Sequence, residues 1–285
     1  METNLFAAAL GPAMSRDNTA PDDLTDEEGL RVCAVCGERK QAWFEVEGLI
    51  ARNKVPCMCK CERDRLAAEE EARKRQEMAL RIDRYRRQGM TDEKYRGCTF
   101  DADDGLDGKA SATCRKYVKN WERIEQENIG LLLWGDVGGG KTFYAACIAN
   151  ALIDKGIPVV MTNLQNLVAA MQKDFGSERE TVLNMLRTVP LLILDDIGTE
   201  RNTSTTVELV YEIINTRYKA QKPLIVTTNL TMTALKEEQD TKFRRLYERI
   251  VAMCGYVQKV SCTGRRQAIA RSKMELMKQI FEAED

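Results

Sequence analysis

Histidine is absent from this chain of 285 residues. Its absence excludes the Ser-His-Asp triad, the Cys-His dyad, the histidine-based metalloproteases and every zinc site that mixes cysteine with histidine. A surplus of positive charge is also absent, because 43 Lys and Arg residues stand against 44 Asp and Glu residues. Nucleic-acid binding would therefore depend on a local concentration of basic residues and not on the charge of the whole chain.

Long apolar runs are missing as well. No stretch reaches the roughly 18 uncharged apolar residues of a membrane-spanning helix, so we expect no membrane partner. Residues 1–14 have neither the basic start nor the apolar run of a secretory signal peptide, and we therefore expect a cytoplasmic protein. In a reducing compartment, the crowding of five cysteines between Cys33 and Cys61 favours metal binding over disulfides.

Composition divides the chain into four segments. Residues 1–30 contain an acidic run and few core-forming side chains, which predicts a disordered acidic tail. Residues 31–61 hold the cysteine cluster and form a candidate zinc-binding module. Residues 62–90 contain no proline and are rich in Glu, Arg, Ala and Gln, which predicts a charged helix that is either a solvated spacer or a surface for a partner. Residues 91–285 form a separate domain.

Apolar runs alternate with helical patterns in this last segment. Such alternation predicts an α/β fold with a central parallel sheet that helices cover on both faces. The predicted strands are residues 129–134, 157–161, 191–194 and 224–228. The predicted helices are residues 110–127 and 142–155, and two more that begin near residues 163 and 205.

A phosphate-binding loop is the most specific motif in the chain. Residues 135–142 fit the pattern G-x4-G-K-[ST] without a mismatch, between a predicted strand and a predicted helix. Glycines let successive backbone N–H groups point at phosphate oxygens, Lys141 reaches the β- and γ-phosphates, and Thr142 is a ligand of Mg²⁺. The residues predicted to hold ATP are Gly135, Asp136, Val137, Gly138, Gly139, Gly140, Lys141, Thr142 and Phe143.

Polar side chains follow two of the predicted strands. Asp195 and Asp196 end the run 191–194, and carboxylates at the end of a buried strand are costly unless a cation or a reacting water needs them. We expect Asp195 to join Thr142 in binding Mg²⁺ and Asp196 to polarise the attacking water. Asn229 follows the strand 224–228 and either positions that water near the γ-phosphate or simply caps the strand.

Two thiolate pairs fit a closed tetrahedral Zn²⁺ site. Cys33 and Cys36 have the C-x2-C spacing, and the second pair comes from Cys57, Cys59 and Cys61, which leaves one cysteine spare. A closed site predicts a structural role, because the surrounding residues include too few large apolar side chains to fold without metal. Two alternatives stay open: reduced cysteines without a metal, and redox sensing by the cluster.

The C-terminal part is locally cationic. Nine Lys and Arg residues between Thr241 and Lys273 stand against one acid, Glu248. Arginine neutralises the charge on a transferring phosphoryl group, but a solvated helix face has the same composition. Spacing does not distinguish these roles.

The order of these motifs resembles that of the DnaC/DnaI-type helicase loaders, which are AAA+ P-loop ATPases related to the IstB transposition ATPases. The resemblance spans residues 33–272 and rests on residues 135–142, 191–198, 223–230 and 245–250, with Gly264-Arg265-Arg266 after them. The cysteine-bearing N-terminal part resembles the phage and Gram-positive DnaC-like branch. The resemblance implies a DNA replication factor that binds ATP and single-stranded DNA, forms homo-oligomers and loads a DnaB-type ring helicase.

The resemblance also implies roles for single residues. Asn229 becomes the sensor of the nucleotide, Arg249 becomes the arginine finger that completes a neighbouring subunit's site, and either Arg266 or Arg265 becomes the second sensor. It favours one ligand set for Zn²⁺: Cys33, Cys36, Cys59 and Cys61, with Cys57 as the alternative.

Two departures from the family pattern affect the expected activity. Many AAA+ proteins have Glu where this chain has Asp196, so we expect slow ATP hydrolysis that DNA or a partner stimulates. Little sequence follows Arg266 to form the usual helical lid, so closure of the site would depend on neighbouring subunits. Two alternative functions stay open: an IstB-like transposition ATPase, and a zinc-anchored nucleotide-binding adaptor without turnover.

The stretch 164–190 lies where related initiators and loaders carry helices that face DNA. It includes Lys173, Phe175, Arg179 and Arg187, which suit contact with a nucleic-acid backbone. The alternative is an ordinary amphipathic helix that buries Leu167, Met171 and Phe175.

Overall fold

The computed structural model describes residues 20–44, 53–90, 92–173, 177–198, 204–238, 240–261 and 265–282. The chain divides into two compact units, Met1–Ala79 and Leu80–Asp285.

The first unit is built from two small antiparallel pairs and a helix. Strands β1 (Leu24–Thr25) and β2 (Arg31–Val32) form one pair, and β3 (Gln41–Phe44) and β4 (Asn53–Pro56) form the other. Helix α1 (Lys60–Gly89) starts in this unit. Its first twenty residues are exposed or half-buried, and ion pairs four residues apart, such as Glu70 with Lys74, support it as a solvated helix.

This unit begins earlier in the chain than composition suggests. The carboxylate of Asp23 lies 2.9 Å from the buried ammonium of Lys40, and Leu30 is only 1% exposed. The predicted tail boundary at residue 30 is therefore late, because part of the acidic run serves to neutralise a buried lysine. Residues 1–19 lie outside the described part of the chain.

The second unit contains a five-stranded parallel sheet. Its strands are β5 (Leu131–Trp134), β6 (Val159–Asn163), β7 (Leu191–Ile197), β8 (Leu224–Thr228) and β9 (Tyr256–Lys259), in the spatial order β6-β7-β8-β5-β9. The predicted α/β fold with a parallel sheet is confirmed. Strand β9 was not among the predicted strands because it lies at an edge, where Tyr256 and Lys259 are exposed and no apolar run marks it.

Helices cover both faces of the sheet. They are α2 (Gly108–Lys119), α3 (Trp121–Gln126), α4 (Lys141–Asp154), α5 (Leu164–Lys173), α6 (Ser177–Thr188), α7 (Ser204–Ala220), α8 (Met232–Lys236) and α9 (Thr241–Met253). The last helix, α10 (Arg265–Glu282), follows β9, and its described side chains are exposed. The predicted helix 110–127 is two helices that meet at Asn120. Leu132 belongs to one core cluster, with α5, α6, α7 and α9, whereas Leu131 and Leu133 belong to the other, with α2 and α4. No helix among the described residues has both the length and the apolarity to cross a membrane.

A buried arginine, Arg217, connects several elements of this core through hydrogen bonds. Arg217 on α7 is fully buried, and its guanidinium donates hydrogen bonds to four backbone carbonyl oxygens, those of Leu186, Val189, Pro190 and Pro223. Burial lowers the pKa of Arg217 to about 10. The guanidinium is still charged at neutral pH because this pKa remains well above 7. The arginine thus ties the end of α6 to the starts of β7 and β8.

Candidate nucleotide site and cysteine cluster

The phosphate loop lies between β5 and α4, and its glycines adopt conformations that other residues avoid. Gly135 has φ 145°, and a Cβ atom there would lie 2.2 Å from the carbonyl oxygen of Val260. Gly140 has φ 94° and caps the N-terminus of α4. The loop can therefore pass close to the end of β9 and direct the start of α4 toward a bound anion.

Lys141 points into this loop. It is only 6% exposed, and its ammonium donates hydrogen bonds to the carbonyl oxygens of Gly135 and Asp136, each at 2.8 Å. It also donates to Oδ1 of Asn229 at 2.7 Å, across 88 residues of sequence. The structure thus brings together two residues that the sequence assigned to the same phosphate.

Asp195 is surrounded by hydroxyl groups. Its Oδ1 accepts hydrogen bonds from Thr142 at 2.8 Å and from Thr227 at 2.6 Å, and its Oδ2 accepts one from Tyr95 at 3.1 Å. Burial, with the charge of Asp195, raises the pKa of Tyr95, so the phenol is protonated and donates. Oxygen ligands are those that Mg²⁺ prefers, and the oxygens of Thr142 and Asp195 fit such a cation.

Asp196 faces the cleft because the strand is irregular at this point. The pairing of β7 with β8 shifts register between Leu194 and Ile197, and Asp196 has φ 59°. The carboxylate is exposed, and its Oδ1 accepts a hydrogen bond of 2.9 Å from Nδ2 of Asn229. Asn229 therefore bridges Lys141 and Asp196.

These side chains line one cleft of about 520 Å³. Its walls include Val137, Phe143, the acidic pair and Asn229, and also three residues of the segment after α1: Lys94, Tyr95 and Cys98. From the sequence, that segment was placed at the start of the domain 91–285 and was assigned no role in the site. The only signal was an aromatic residue in an otherwise polar stretch.

Arg249 does not line this cleft. It lies on α9, with its guanidinium carbon 4.5 Å from the ring centre of Tyr211 and 5.9 Å from that of Tyr218. Its Nη1 atom is buried and makes no hydrogen bond to the described residues. Arg249 lines a separate groove with Arg245 and other residues of α9. The side chains of Arg265 and Arg266 lie outside the described part of the chain.

The stretch 164–190 has the features of the amphipathic alternative. Leu167 and Met171 are buried in the core, while Arg179 pairs with Glu212 at 2.5 Å and Arg187 pairs with an acid on its own helix. Phe175 and the side chain of Lys173 lie outside the described residues. The two described arginines are thus already neutralised by acids.

The cysteines of the first unit form a compact cluster. The sulfur atoms of Cys33, Cys36, Cys59 and Cys61 all lie within 4.8 Å of one another, whereas Cys57 donates to the carbonyl oxygen of Arg39 at 3.3 Å. Four thiolates on one Zn²⁺, with bonds of about 2.3 Å, would be about 3.8 Å apart. The four residues therefore fit a tetrahedral ion, and Cys57 stands outside the set.

Charge within the cluster is unevenly distributed. Hydrogen bonds from the backbone N–H groups of Cys61 and Glu38 lower the pKa of Cys36 to about 6. Contacts with the other thiols, first of all Cys59, raise the pKa of Cys61 to about 12. Binding of a metal ion by these four residues would displace the protons of their thiols.

Comparison with known proteins places the greater part of the chain, from residue 60 onward, in a family. The family model described as IstB-like ATP binding protein matches residues 60–269. The replicative helicase loader DnaI of Bacillus subtilis is 32% identical over 140 residues, which is 45% of each chain. The replicative helicase loader DnaC of Escherichia coli K12 is 29% identical over 126 residues, 43% of this chain and 50% of its own. The chain spans about half the length of the curated relatives that it matches.

A solved structure has the same fold. A crystal structure of the DnaC helicase loader superimposes with a TM-score of 0.50 and 26% identity, covering 59% of this chain and 98% of that one. The AAA+ P-loop architecture that the resemblance implied is confirmed.

Proposed function

This chain belongs to the family of IstB-like ATP binding proteins, and on that premise we propose that it is an ATPase that loads a DnaB-type ring helicase onto single-stranded DNA during replication. The observation that carries the ATPase proposal is the hydrogen-bonded set of Lys141, Thr142, Asp195 and Asn229 in one cleft. Similarity to two helicase loaders supports the replication role, which takes place in the cytoplasm.

Each side chain of the cleft has a defined task in this proposal. The ammonium of Lys141 exchanges its loop carbonyl partners for the β- and γ-phosphates of ATP, while the N-terminus of α4 adds its partial positive charge. Thr142 and Asp195 hold Mg²⁺, which neutralises charge on those phosphates when bound. Asp196 accepts a proton from the attacking water, and Asn229 aligns that water with the γ-phosphate.

Turnover is slow in this proposal for two reasons, the short side chain of Asp196 and the absence of Arg249 from its own subunit's cleft. Asp196 is one methylene shorter than the glutamate common in AAA+ ATPases, so its carboxylate lies farther from the water. Arg249 belongs to the cleft of an adjoining copy, where its guanidinium neutralises the transferring phosphoryl group. Assembly of subunits, with DNA or helicase present, therefore completes the site. Arg266, or Arg265, acts as the second sensor in its own subunit.

The cysteine cluster is proposed to bind Zn²⁺ through Cys33, Cys36, Cys59 and Cys61. Four thiolate ligands leave no open position for a substrate, so the metal supplies folding stability and no hydrolytic chemistry. We assign the unit that it stabilises, together with the exposed part of α1, to contact with the helicase.

Phosphate release tests the ATPase proposal directly. The full-length chain should hydrolyse ATP slowly, and single-stranded DNA with a ring helicase should increase the rate several-fold. Lys141→Ala is the control that removes nucleotide binding. If the wild-type chain binds ATP and shows no phosphate release under any of these conditions, it is a nucleotide-binding adaptor without turnover.

The family also supports a second candidate, an IstB-like ATPase that serves a transposase. Purification of the tagged chain with ATP, first with a ring helicase and then with a transposase, separates the two. A stoichiometric complex with the helicase supports the loader, and a complex with the transposase alone overturns it.

A further inference from the structure

We propose that Tyr95 is a positioning residue that holds the Asp195 carboxylate in the orientation that binds Mg²⁺ with ATP. This inference rests on the proposed ATPase function and deepens it. Tyr95 lies in the short 3-10 helix Glu93–Tyr95, in the segment that joins α1 to α2.

The contact between the two residues is buried and specific. Tyr95 is 3% exposed and Asp195 is 7% exposed, and the tyrosine hydroxyl donates to Oδ2 at 3.1 Å across 100 residues of sequence. The other carboxylate oxygen, Oδ1, is occupied by the hydroxyls of Thr142 and Thr227. With a donor on each oxygen, the largely buried carboxylate cannot rotate without breaking a hydrogen bond.

The segment that carries Tyr95 is fixed to the same helix that carries Thr142. The side-chain amide of Asn150 on α4 donates hydrogen bonds to the carbonyl oxygens of Tyr95 and Cys98, both at 2.8 Å. Asn150 follows Thr142 by eight residues, or roughly 12 Å along the helix. Helix α4 therefore positions two hydroxyl donors to Asp195: Thr142, which it carries, and Tyr95, which it holds through the segment 95–98.

A purely structural role would not need the hydroxyl group. The ring of Tyr95 packs in the core cluster beside α2 and α4, and phenylalanine would fill the same space. Only the oxygen reaches Asp195, and the same residue also lines the nucleotide cleft. The hydroxyl thus belongs to the outer contacts of a metal ligand, the class whose removal weakens metal binding by about 10- to 100-fold.

Tyr95→Phe tests this inference in the full-length chain. Binding of a fluorescent ATP analogue is titrated with Mg²⁺, and nucleotide affinity is measured separately in EDTA. We expect the Mg²⁺ concentration for half-maximal binding to rise about tenfold or more, with the affinity in EDTA unchanged. Hydrolysis should fall at low Mg²⁺ and recover at saturating Mg²⁺.

Tyr117→Phe is the matched control. Tyr117 is also buried and donates its hydroxyl to one group, the carbonyl oxygen of Ile129 at 2.8 Å, outside the cleft. This variant should titrate with Mg²⁺ as the wild type does. A second variant, Asn150→Leu, removes the two donations that fix the segment and should raise the Mg²⁺ requirement in the same direction, so that a failure of Tyr95→Phe to fold still leaves a test.

The outcomes separate the two proposals. If the wild type binds the analogue and Tyr95→Phe has the wild-type Mg²⁺ requirement, the role of Tyr95 is overturned and the ATPase proposal stands. Equal loss of affinity with and without Mg²⁺ also overturns it, because that result indicates a general structural effect. If the wild type itself binds no ATP at any Mg²⁺ concentration, the proposed function fails and the inference with it.

Discussion

The ammonium group of Lys141 lies 2.7 Å from the side-chain oxygen of Asn229, although 88 residues separate them in the sequence. The amide nitrogen of the same asparagine donates to Asp196 at 2.9 Å. One amide therefore connects Lys141, the proposed phosphate-binding cation, to Asp196, the acid proposed to activate water. In the proposed mechanism, a change at the γ-phosphate would reach Asp196 through this single side chain.

Replacement of Asn229 should affect chemistry more than binding. In Asn229→Ala, we expect the KM for ATP to change less than about threefold and kcat to fall about tenfold or more, because the bridge to Asp196 is lost while the phosphate loop is intact. Steady-state phosphate release measures both constants. Asn184→Ala, on the exposed surface of α6, is the control and should behave as the wild type. A rise in KM of about tenfold or more with an unchanged kcat would contradict the role in water alignment.

Mixing two inactive variants should test whether Arg249 acts between subunits. Arg249→Ala and Lys141→Ala each lose ATP hydrolysis, the first through the arginine finger and the second through nucleotide binding. In a mixed assembly, an intact cleft of the Arg249→Ala chain can receive Arg249 from a Lys141→Ala neighbour, so part of the activity should return. Phosphate release across a series of mixing ratios measures this effect. Absence of recovery at every ratio, with assembly verified by light scattering, would remove the main support for a finger supplied by a neighbour.

Metal content should distinguish Cys36 from Cys57. The wild type and Cys57→Ser should each carry about one Zn²⁺ per chain, because Cys57 lies outside the cluster of four sulfurs. Cys36→Ser should lose the metal and the order of the first unit. Elemental analysis of the purified proteins and circular dichroism check this prediction. Loss of zinc in both variants would instead indicate that Cys57 is a ligand.

Arg217 should contribute strongly to stability. Arg217→Ala leaves backbone carbonyl oxygens of four residues without their donor in a buried position, and we expect the free energy of unfolding to fall by about 3 kcal/mol or more. Chemical denaturation measures the change. Arg187→Ala breaks an exposed ion pair and should cost less than about 1 kcal/mol. Similar losses for both variants would show that the carbonyl contacts add little.

The sequence was most informative where one local pattern specifies both structure and chemistry. The phosphate loop and the acids near the end of β7 could be placed because glycine spacing, apolar runs and strand ends all lie within short stretches. Asn229 could be placed for the same reason, since carboxyl ends of parallel strands meet at one edge of the sheet.

Contacts between polar residues that are distant in the sequence could not be predicted in the same way. The hydrogen bond from Tyr95 to Asp195 joins the segment after α1 to a strand 100 residues away, and no periodicity marks either partner. The ion pair of Asp23 with Lys40 also has no local signal in the sequence. Because of this pair, the first unit starts within the stretch that composition predicts to be a disordered tail. Pairing of this kind depends on tertiary structure and leaves no local signal.

The backbone at Asp196 has a consequence for the choice of acid at this position. Its φ of 59° lies in the left-handed region, which aspartate and asparagine enter more readily than most longer side chains. Replacement by glutamate would extend the carboxylate toward the water but would oppose the local conformation of the chain. If the proposed ATPase mechanism holds, the short acid is a compromise between reach and conformation, and a variant with faster turnover at residue 196 must alter the turn as well as the side chain.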